Sequence, residues 1–280
     1  MDETTADILF KFFEAGAEER LPELGGPANS QRSLESGNNA FVAWLERCLT
    51  IAEASRQPTA GESLSRLTSI SKPGEVPRQA PHAVVLSCSD ARVPVRLLLG
   101  QKVNNLFEIR VAGNVLADEC LGSIEYALEY FESVKTVVVL GHTHCGAVAA
   151  AVDAFLNPSE FNEGRLPAGL RSIIQRLLGP VTQAARGLEP PVSADCAPTD
   201  SYQRLIDSAV ILNAAMVSQE LLQAVEQAGR SDVQVLYGVY DLASHYLVSS
   251  DHSSGKRVGL TEAPQNPTAL ERLAETVIQF

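Results

Sequence analysis

The stretch that decides the fold is Thr136-Val-Val-Val-Leu-Gly-His-Thr-His-Cys-Gly-Ala-Val148, near the middle of the chain. A run of β-branched and aliphatic residues ends in a glycine, and a second glycine opens an alanine-rich segment. This order predicts a buried strand, a tight turn and the first turn of a helix. His142 and Cys145 stand at that turn, close enough in sequence to face one metal ion.

The alternation of apolar runs and helical segments continues outward from this stretch. Strands are predicted at residues 83–87, 106–110, 136–140 and 233–239, the last paired with 246–249, and helices at 120–131, 147–155, 167–186 and 202–228. This pattern predicts an α/β fold with a mostly parallel central sheet flanked by helices. Ligand sites in such sheets lie at the carboxyl ends of the strands. Cys88 and His142 both follow predicted strand ends.

Composition and charge narrow the function classes. The 280 residues carry a net charge of −12, with 45% hydrophobic and 20% charged residues. The acidic balance argues against nucleic acid or an anionic membrane surface as a partner. We expect no membrane span and, from the acidic first residues, no secretory signal, hence a cytoplasmic protein, or one inside a protein microcompartment. The cysteines are odd in number and widely spaced, which favours metal or catalytic use over a disulfide framework: Cys48, Cys88, Cys120, Cys145 and Cys196.

Cys88, His142 and Cys145 form the candidate metal site. Taken alone, a cysteine is more often a small buried hydrophobe, and a histidine is more often a hydrogen-bonded structural residue. Together the three make a set of two thiolates and one imidazole that leaves a fourth position open, the arrangement of catalytic zinc. His144 alternates with His142 and is expected to point elsewhere. The expected cofactor is therefore Zn²⁺.

The two ligand motifs resemble those of the β-class carbonic anhydrases. Cys88-Ser-Asp-Ala-Arg92 is followed, 54 residues after its cysteine, by His142-Thr-His-Cys145. Other segments similar to the family are Gly37-Asn-Asn-Ala-Phe41, Gln79-Ala-Pro81, Phe107-Glu-Ile-Arg-Val-Ala-Gly-Asn114 and Gly122-Ser-Ile-Glu-Tyr126. The resemblance implies reversible hydration of carbon dioxide to bicarbonate and a proton by zinc-bound hydroxide. It also implies a homo-oligomer built from dimers, with N-terminal helices packing on the dimer partner.

Asp90 and Arg92 are the expected catalytic pair. Asp90 would accept a hydrogen bond from the reacting water, and Arg92 would hold that carboxylate ionised; a plain salt bridge is the alternative. In some family members the aspartate becomes a fourth zinc ligand and closes the site. Members with a regulatory bicarbonate pocket tend to carry tryptophan three residues before the first cysteine. Val85 stands there in this chain, so we expect an open site.

The resemblance assigns substrate contacts to four further residues. Gln79 would donate its amide to a bicarbonate oxygen, across a subunit interface in one arrangement. Phe107 and Tyr126 would wall a pocket for carbon dioxide, with core packing as the alternative, and Gly146 would offer a backbone N–H. The chain departs from the family near its end, where Ser244-His245 replaces the more usual Thr-Gly turn.

The chain divides into three predicted parts. Residues 1–30 hold an amphipathic helix at 4–16 and a joint, residues 31–258 are the zinc-dependent catalytic domain, and residues 259–280 are a linker and an amphipathic tail. The first helix packs on the main domain or on a second subunit. The tail clamps a neighbouring subunit, docks on another protein such as a compartment scaffold, or is disordered.

Two other functions stay open on the sequence. A hydrolase of carbonyl sulfide or carbon disulfide would use the same zinc-hydroxide attack, because access to the pocket rather than ligand identity decides the substrate. A non-catalytic scaffold relative is disfavoured because the three candidate ligands and the Asp90–Arg92 pair are all present.

Overall fold

A computed structural model describes residues 30–52, 76, 78–101, 103–164, 166–188, 200–248 and 259–277. The helix predicted at residues 4–16 lies outside the described residues.

The core is a six-stranded sheet whose four long strands are parallel, in the order β2-β1-β3-β4. Two short strands pair antiparallel with β4 at its outer side. The mostly parallel sheet that the sequence predicts is thus confirmed. The strands are β1 (Ala83–Ser87), β2 (Leu106–Arg110), β3 (Thr136–His142), β4 (Gln234–Tyr240), β5 (Leu247–Val248) and β6 (Thr261–Glu262).

Helices flank the sheet, as the sequence predicts. The two shortest helices and β6 were not predicted, because segments of two to six residues show too little hydrophobic periodicity. The helices are α1 (Ser30–Ala52), α2 (Val95–Leu98), α3 (Asp118–Tyr130), α4 (Gly146–Leu156), α5 (Pro158–Glu163), α6 (Ala168–Ala185), α7 (Asp200–Gln227) and α8 (Pro267–Val277).

Both faces of the sheet are covered, because β1 and β3 are buried at every position. Alternate residues such as Val84 and Val139 pack against α3 and α7. The intervening residues, such as Val85 and Leu140, pack with Leu34 of α1 and with the apolar residues of α2. A strand buried on both faces reads as a continuous apolar run, which is why β3 stands out in the sequence.

Helix α7 is long and apolar enough to cross a membrane by length and composition alone. Of its most apolar window, 67% is buried inside the protein. The helix packs against β3, β4 and α6. This is the placement of a core helix in an α/β domain.

The segment predicted as a linker and an amphipathic tail contains a short strand and a helix, and both pack on this chain. Its first residues form β6, which pairs with β4, and Glu35 of α1 accepts the Leu260 N–H at 2.9 Å. Helix α8 packs on α7, with Ala274 and Val277 buried. The apolar side that we expected to contact a neighbouring subunit or another protein is therefore covered by this chain, since strand pairing brings α8 onto α7.

Gly37 offers a test of how α1 is held against the domain. A Cβ atom at this position would lie 1.9 Å from the Leu99 carbonyl oxygen, so the two backbones touch. We expect Gly37→Ala to lower the free energy of unfolding by about 1–3 kcal/mol, because the helix must shift to relieve the clash. Urea unfolding followed by circular dichroism measures the change.

Gly122→Ala is the matched control. Gly122 lies within α3, and an added Cβ would meet nothing within 4 Å. The substitution should raise stability by about 0.5–1 kcal/mol, because alanine is the better helix former. Equal effects of the two substitutions would contradict the close approach of α1.

Candidate metal centre

The pairing of β1 with β3 brings two candidate ligands to the same edge of the sheet. Ser87, the last residue of β1, pairs with Leu140, so Cys88 and His142 emerge side by side. Cys145 directly precedes α4. One ligand atom from each of the three side chains lies within 4.8 Å of the others. The structure thus brings the three predicted ligands together.

All three side chains are inaccessible to bulk water: Cys88, His142 and Cys145 are 5%, 1% and 2% exposed. His142 Nδ1 lies 2.9 Å from the Thr143 carbonyl oxygen, which can only accept, so Nδ1 carries the proton. His142 Nε2 is then a bare acceptor, buried and without a hydrogen-bond partner among the described residues. An unpaired buried polar atom costs about 1–3 kcal/mol, and a metal ion in the cluster removes that cost.

The two thiols differ in how readily they ionise. A hydrogen bond from Cys145 lowers the pKa of the Cys88 thiol well below its ordinary value, against burial and with help from His142 and the Gly113 N–H. The same contact with Cys88, together with burial, raises the pKa of Cys145, although the Ala147 and Val148 N–H groups act against this. The pair holds one negative charge readily and a second only beside a cation. Two thiolates and an imidazole fit Zn²⁺ by donor type.

Asp90 and Arg92 form a bidentate ion pair next to this cluster. Arg92 Nε donates to Asp90 Oδ1 at 2.9 Å, and Arg92 Nη2 donates to Asp90 Oδ2 at 2.7 Å. Hydrogen bonds from Arg92 hold the pKa of Asp90 well below its usual range, so the carboxylate is ionised. Asp90 Oδ2 lies 3.8 Å from His142 Nε2. The carboxylate is thus paired with Arg92 while it faces the cluster.

Sequence reasoning missed Arg110, the last residue of β2. Its Nε and Nη2 atoms both donate to the Cys88 carbonyl at 3.1 Å, and Nη2 also donates to the Asp90 carbonyl at 2.7 Å. Arg110 pairs with Ser87 in the sheet, so it stands beside the turn that carries Cys88. A cationic residue at the carboxyl end of a strand next to β1 was the signal that could have revealed it.

The other titratable candidates lie away from the cluster. His144 is exposed, with a φ of 55°, and only its carbonyl oxygen takes part, accepting from Arg92 at 3.3 Å. This agrees with the expectation that His144 points elsewhere. Cys120 is buried in α3 beneath the sheet. Cys196 lies outside the described residues.

Of the four predicted substrate contacts, one lies beside the cluster and three lie away from it. Gly146 begins α4 beside Cys145, with open space around its α-carbon. Phe107 pairs with Val84, near the start of β1, and packs with Tyr126 at a ring separation of 6.4 Å. Gln79 is exposed and precedes β1, at the amino ends of the strands. Gln79, Phe107 and Tyr126 therefore do not join the cluster of their own chain.

The part of the chain that carries the cluster is similar to known proteins. Residues 83–247 match the family model described as carbonic anhydrase. A carbonic anhydrase of Mycolicibacterium smegmatis is 35% identical over 153 residues, which cover 54% of this chain and 63% of that protein. Carbonic anhydrase 2 of Mycobacterium tuberculosis is 34% identical over 152 residues, covering 54% and 62%. The chain thus spans less than two thirds of these relatives' length.

The fold has a counterpart among solved structures. The structure of the β-carbonic anhydrase CcaA superposes with a TM-score of 0.51 at 23% sequence identity. The superposition covers 65% of this chain and 85% of that one. At this identity the likeness concerns the fold, and it agrees with a mostly parallel sheet flanked by helices.

The cluster predicts that the metal content of the protein depends on Cys145 and not on Cys120. We expect purified protein to hold one metal ion per chain, and Cys145→Ser to lose it, because only two ligands remain. Cys120→Ser is the matched control and should keep its metal ion, since Cys120 lies beneath the sheet and outside the cluster. Elemental analysis after dialysis measures both. Full metal content in Cys145→Ser would contradict the assignment of the site.

Proposed function

The chain belongs to the carbonic anhydrase family, and from this premise we propose that it catalyses the reversible hydration of carbon dioxide to bicarbonate and a proton. The observation that carries the proposal is the buried cluster of Cys88, His142 and Cys145 with the Asp90–Arg92 pair beside it. The matched residues make up more than half of this chain but less than two thirds of its curated relatives.

Zinc is the metal that we propose for the cluster. Support comes from the donor set of two thiols and one imidazole nitrogen, and from the bare Nε2 of His142. When bound, zinc supplies the Lewis acidity that makes hydroxide available near neutral pH for addition to the carbon of carbon dioxide. The buried thiols meanwhile stay ionised because the cation balances their charge.

Asp90 orients the reacting water. Its Oδ2 atom faces the cluster and accepts a hydrogen bond from that water, so a lone pair of the water oxygen points toward the substrate carbon. Arg92 keeps Asp90 ionised, and therefore able to accept, across the working pH range. The N–H of Gly146 lies at the start of α4, where backbone donors lack acceptors within the helix, and it donates to a bicarbonate oxygen.

A second copy of the chain completes the pocket in this proposal. Three of the predicted substrate contacts lie away from the cluster of their own chain: Gln79, Phe107 and Tyr126. In this proposal they contact the substrate that is bound at the cluster of a partner subunit. Strand β2 lies at an edge of the described sheet, and Tyr126 and Tyr130 beside it are 49% and 66% exposed. Exposed aromatic side chains next to an edge strand favour an interface. We propose a homodimer as the basic unit, in the cytoplasm.

The first test of this function is stopped-flow hydration of carbon dioxide by the zinc-loaded protein. We expect Asp90→Asn to keep its zinc and to lose about 10²-fold or more in kcat, because the amide cannot hold the water as the carboxylate does. Carbonyl sulfide is assayed alongside, and faster turnover of that substrate would favour the hydrolase alternative. A folded, zinc-loaded protein without activity between about pH 6 and 9 would overturn the proposal.

Asp232→Asn is the matched control for Asp90→Asn. Asp232 also pairs with an arginine two residues away, Arg230, whose Nε donates to it at 2.9 Å. This second pair lies before β4, at the opposite end of the sheet from the cluster. We therefore expect unchanged turnover. Equal losses in the two variants would show that Asp90 has no particular role.

Complementation between subunits tests the dimer. A Cys145→Ser subunit lacks a working cluster, and a Gln79→Ala subunit lacks the proposed contact. In a mixed dimer, the intact cluster faces the intact Gln79 of the other subunit, so activity should reappear at one site. Co-expression with two affinity tags isolates the mixed species, and stopped-flow rates measure it. Failure to recover activity would place the role of Gln79 within its own chain, and a fully active Gln79→Ala homodimer would remove that role.

A further inference from the structure

Thr143 fixes the carbonyl that orients His142. That carbonyl accepts the Nδ1 proton of His142 at 2.9 Å, which turns Nε2 toward the cluster. The main chain of Thr143 is itself held, since its N–H donates to the Tyr240 carbonyl at 3.0 Å. Its hydroxyl donates to Asp241 Oδ1 at 3.0 Å and accepts the Leu242 N–H at 2.9 Å. The residue after the ligand is thus anchored by three hydrogen bonds besides the one that its carbonyl accepts.

Asp241 is the centre of this anchorage. Besides Thr143, its carboxylate accepts the Ala243 N–H at 3.2 Å, and the N–H and hydroxyl of Ser244 at 3.1 and 2.5 Å. Burial alone would raise the pKa of Asp241, but the hydrogen bonds led by the Ser244 hydroxyl outweigh it and lower the pKa. An ionised carboxylate that accepts this many bonds holds its donors rigidly. The Thr143 hydroxyl is therefore tied to a fixed point.

The turn that carries Asp241 is fastened to α1. Asn38 donates to the His245 carbonyl at 3.1 Å and accepts the Leu247 N–H at 2.9 Å. His245 has a φ of 63°, a backbone conformation that favours glycine, and its ring Nδ1 lies 2.9 Å from the Tyr240 hydroxyl. The Ser-His replacement of the usual Thr-Gly turn is thus held by specific contacts. The path from α1 to His142 is continuous.

We propose that Asp241 and Thr143 are positioning residues of the metal centre, which act by fixing the carbonyl that orients His142. Neither residue belongs to the cluster, and Thr143 contacts it through the carbonyl that His142 Nδ1 binds. The proposal rests on the metal site of the proposed function, because its effect is on how tightly His142 holds a metal ion. Loss of such an outer partner typically costs 10–100-fold in metal affinity or activity.

Thr143→Val and Thr143→Ser make the decisive pair. Valine keeps the shape but removes the hydroxyl, so Asp241 loses one of its four donors and the Leu242 N–H is left unpaired, whereas serine keeps both bonds. We expect Thr143→Val to release zinc to a chelator about 10-fold faster than the unaltered protein does. Thr143→Ser should release zinc at the rate of the unaltered protein. Replacement by cobalt(II) adds a spectroscopic readout: the visible absorption bands should shift in the valine variant only.

Thr182→Val controls for the loss of a threonine hydroxyl as such. Its hydroxyl donates to the Leu178 carbonyl within α6, away from the cluster, so zinc release should not change. Asp241→Asn gives a second variant if Thr143→Val fails to fold. The amide has one acceptor oxygen in place of two and cannot accept all four hydrogen bonds that the carboxylate accepts, so zinc release should accelerate there too.

The outcomes separate this inference from the proposed function. Zinc release and cobalt spectra that are unchanged in both Thr143→Val and Asp241→Asn would overturn the positioning role, whatever the enzymatic activity. Accelerated release in the two variants, together with an unaltered protein that binds zinc but does not hydrate carbon dioxide, would support the positioning role and overturn only the function.

Discussion

The parallel pairing of β1 with β3 is the constraint on which the site depends. The register places Ser87 opposite Leu140, so the chain leaves both strands at nearly the same level. The strand pairing by itself therefore places Cys88 close to His142. The two faces of these strands pack on different sets of residues, so a slip of one position would exchange the side chains that meet each set.

Much of this arrangement could be predicted from the sequence, because it depends on local patterns. The apolar run of β3 and the turn residues after it gave the strand, the turn and the ligands His142 and Cys145. The sequence could not show that residues 259–262 form β6, since two paired residues carry no periodicity. Arg110 was missed for a related reason: its side chain acts by binding carbonyl groups in the turn after β1. The sequence shows a cationic residue at the end of β2, but it does not show which backbone carbonyls that residue binds.

Each functional group in the site is oriented by a second group. Arg92 fixes the carboxylate of Asp90, Arg110 fixes the turn between Cys88 and Asp90, and Thr143 fixes the imidazole of His142. These supports come from different elements, so precision at the site derives from the assembled fold rather than from one motif. A short sequence motif can therefore be complete while the geometry it implies still depends on distant residues.

The nearness of the two thiols has a consequence for the protein without its metal. Ligand atoms of Cys88 and Cys145 lie within 4.8 Å of each other, and the hydrogen bond between them favours a thiolate on Cys88. A thiolate beside a thiol is the pair that an oxidant converts into a disulfide. Such a cross-link would consume two of the three ligands. A metal ion bound at the site would therefore also keep the two thiols reduced, so that both stay available as ligands.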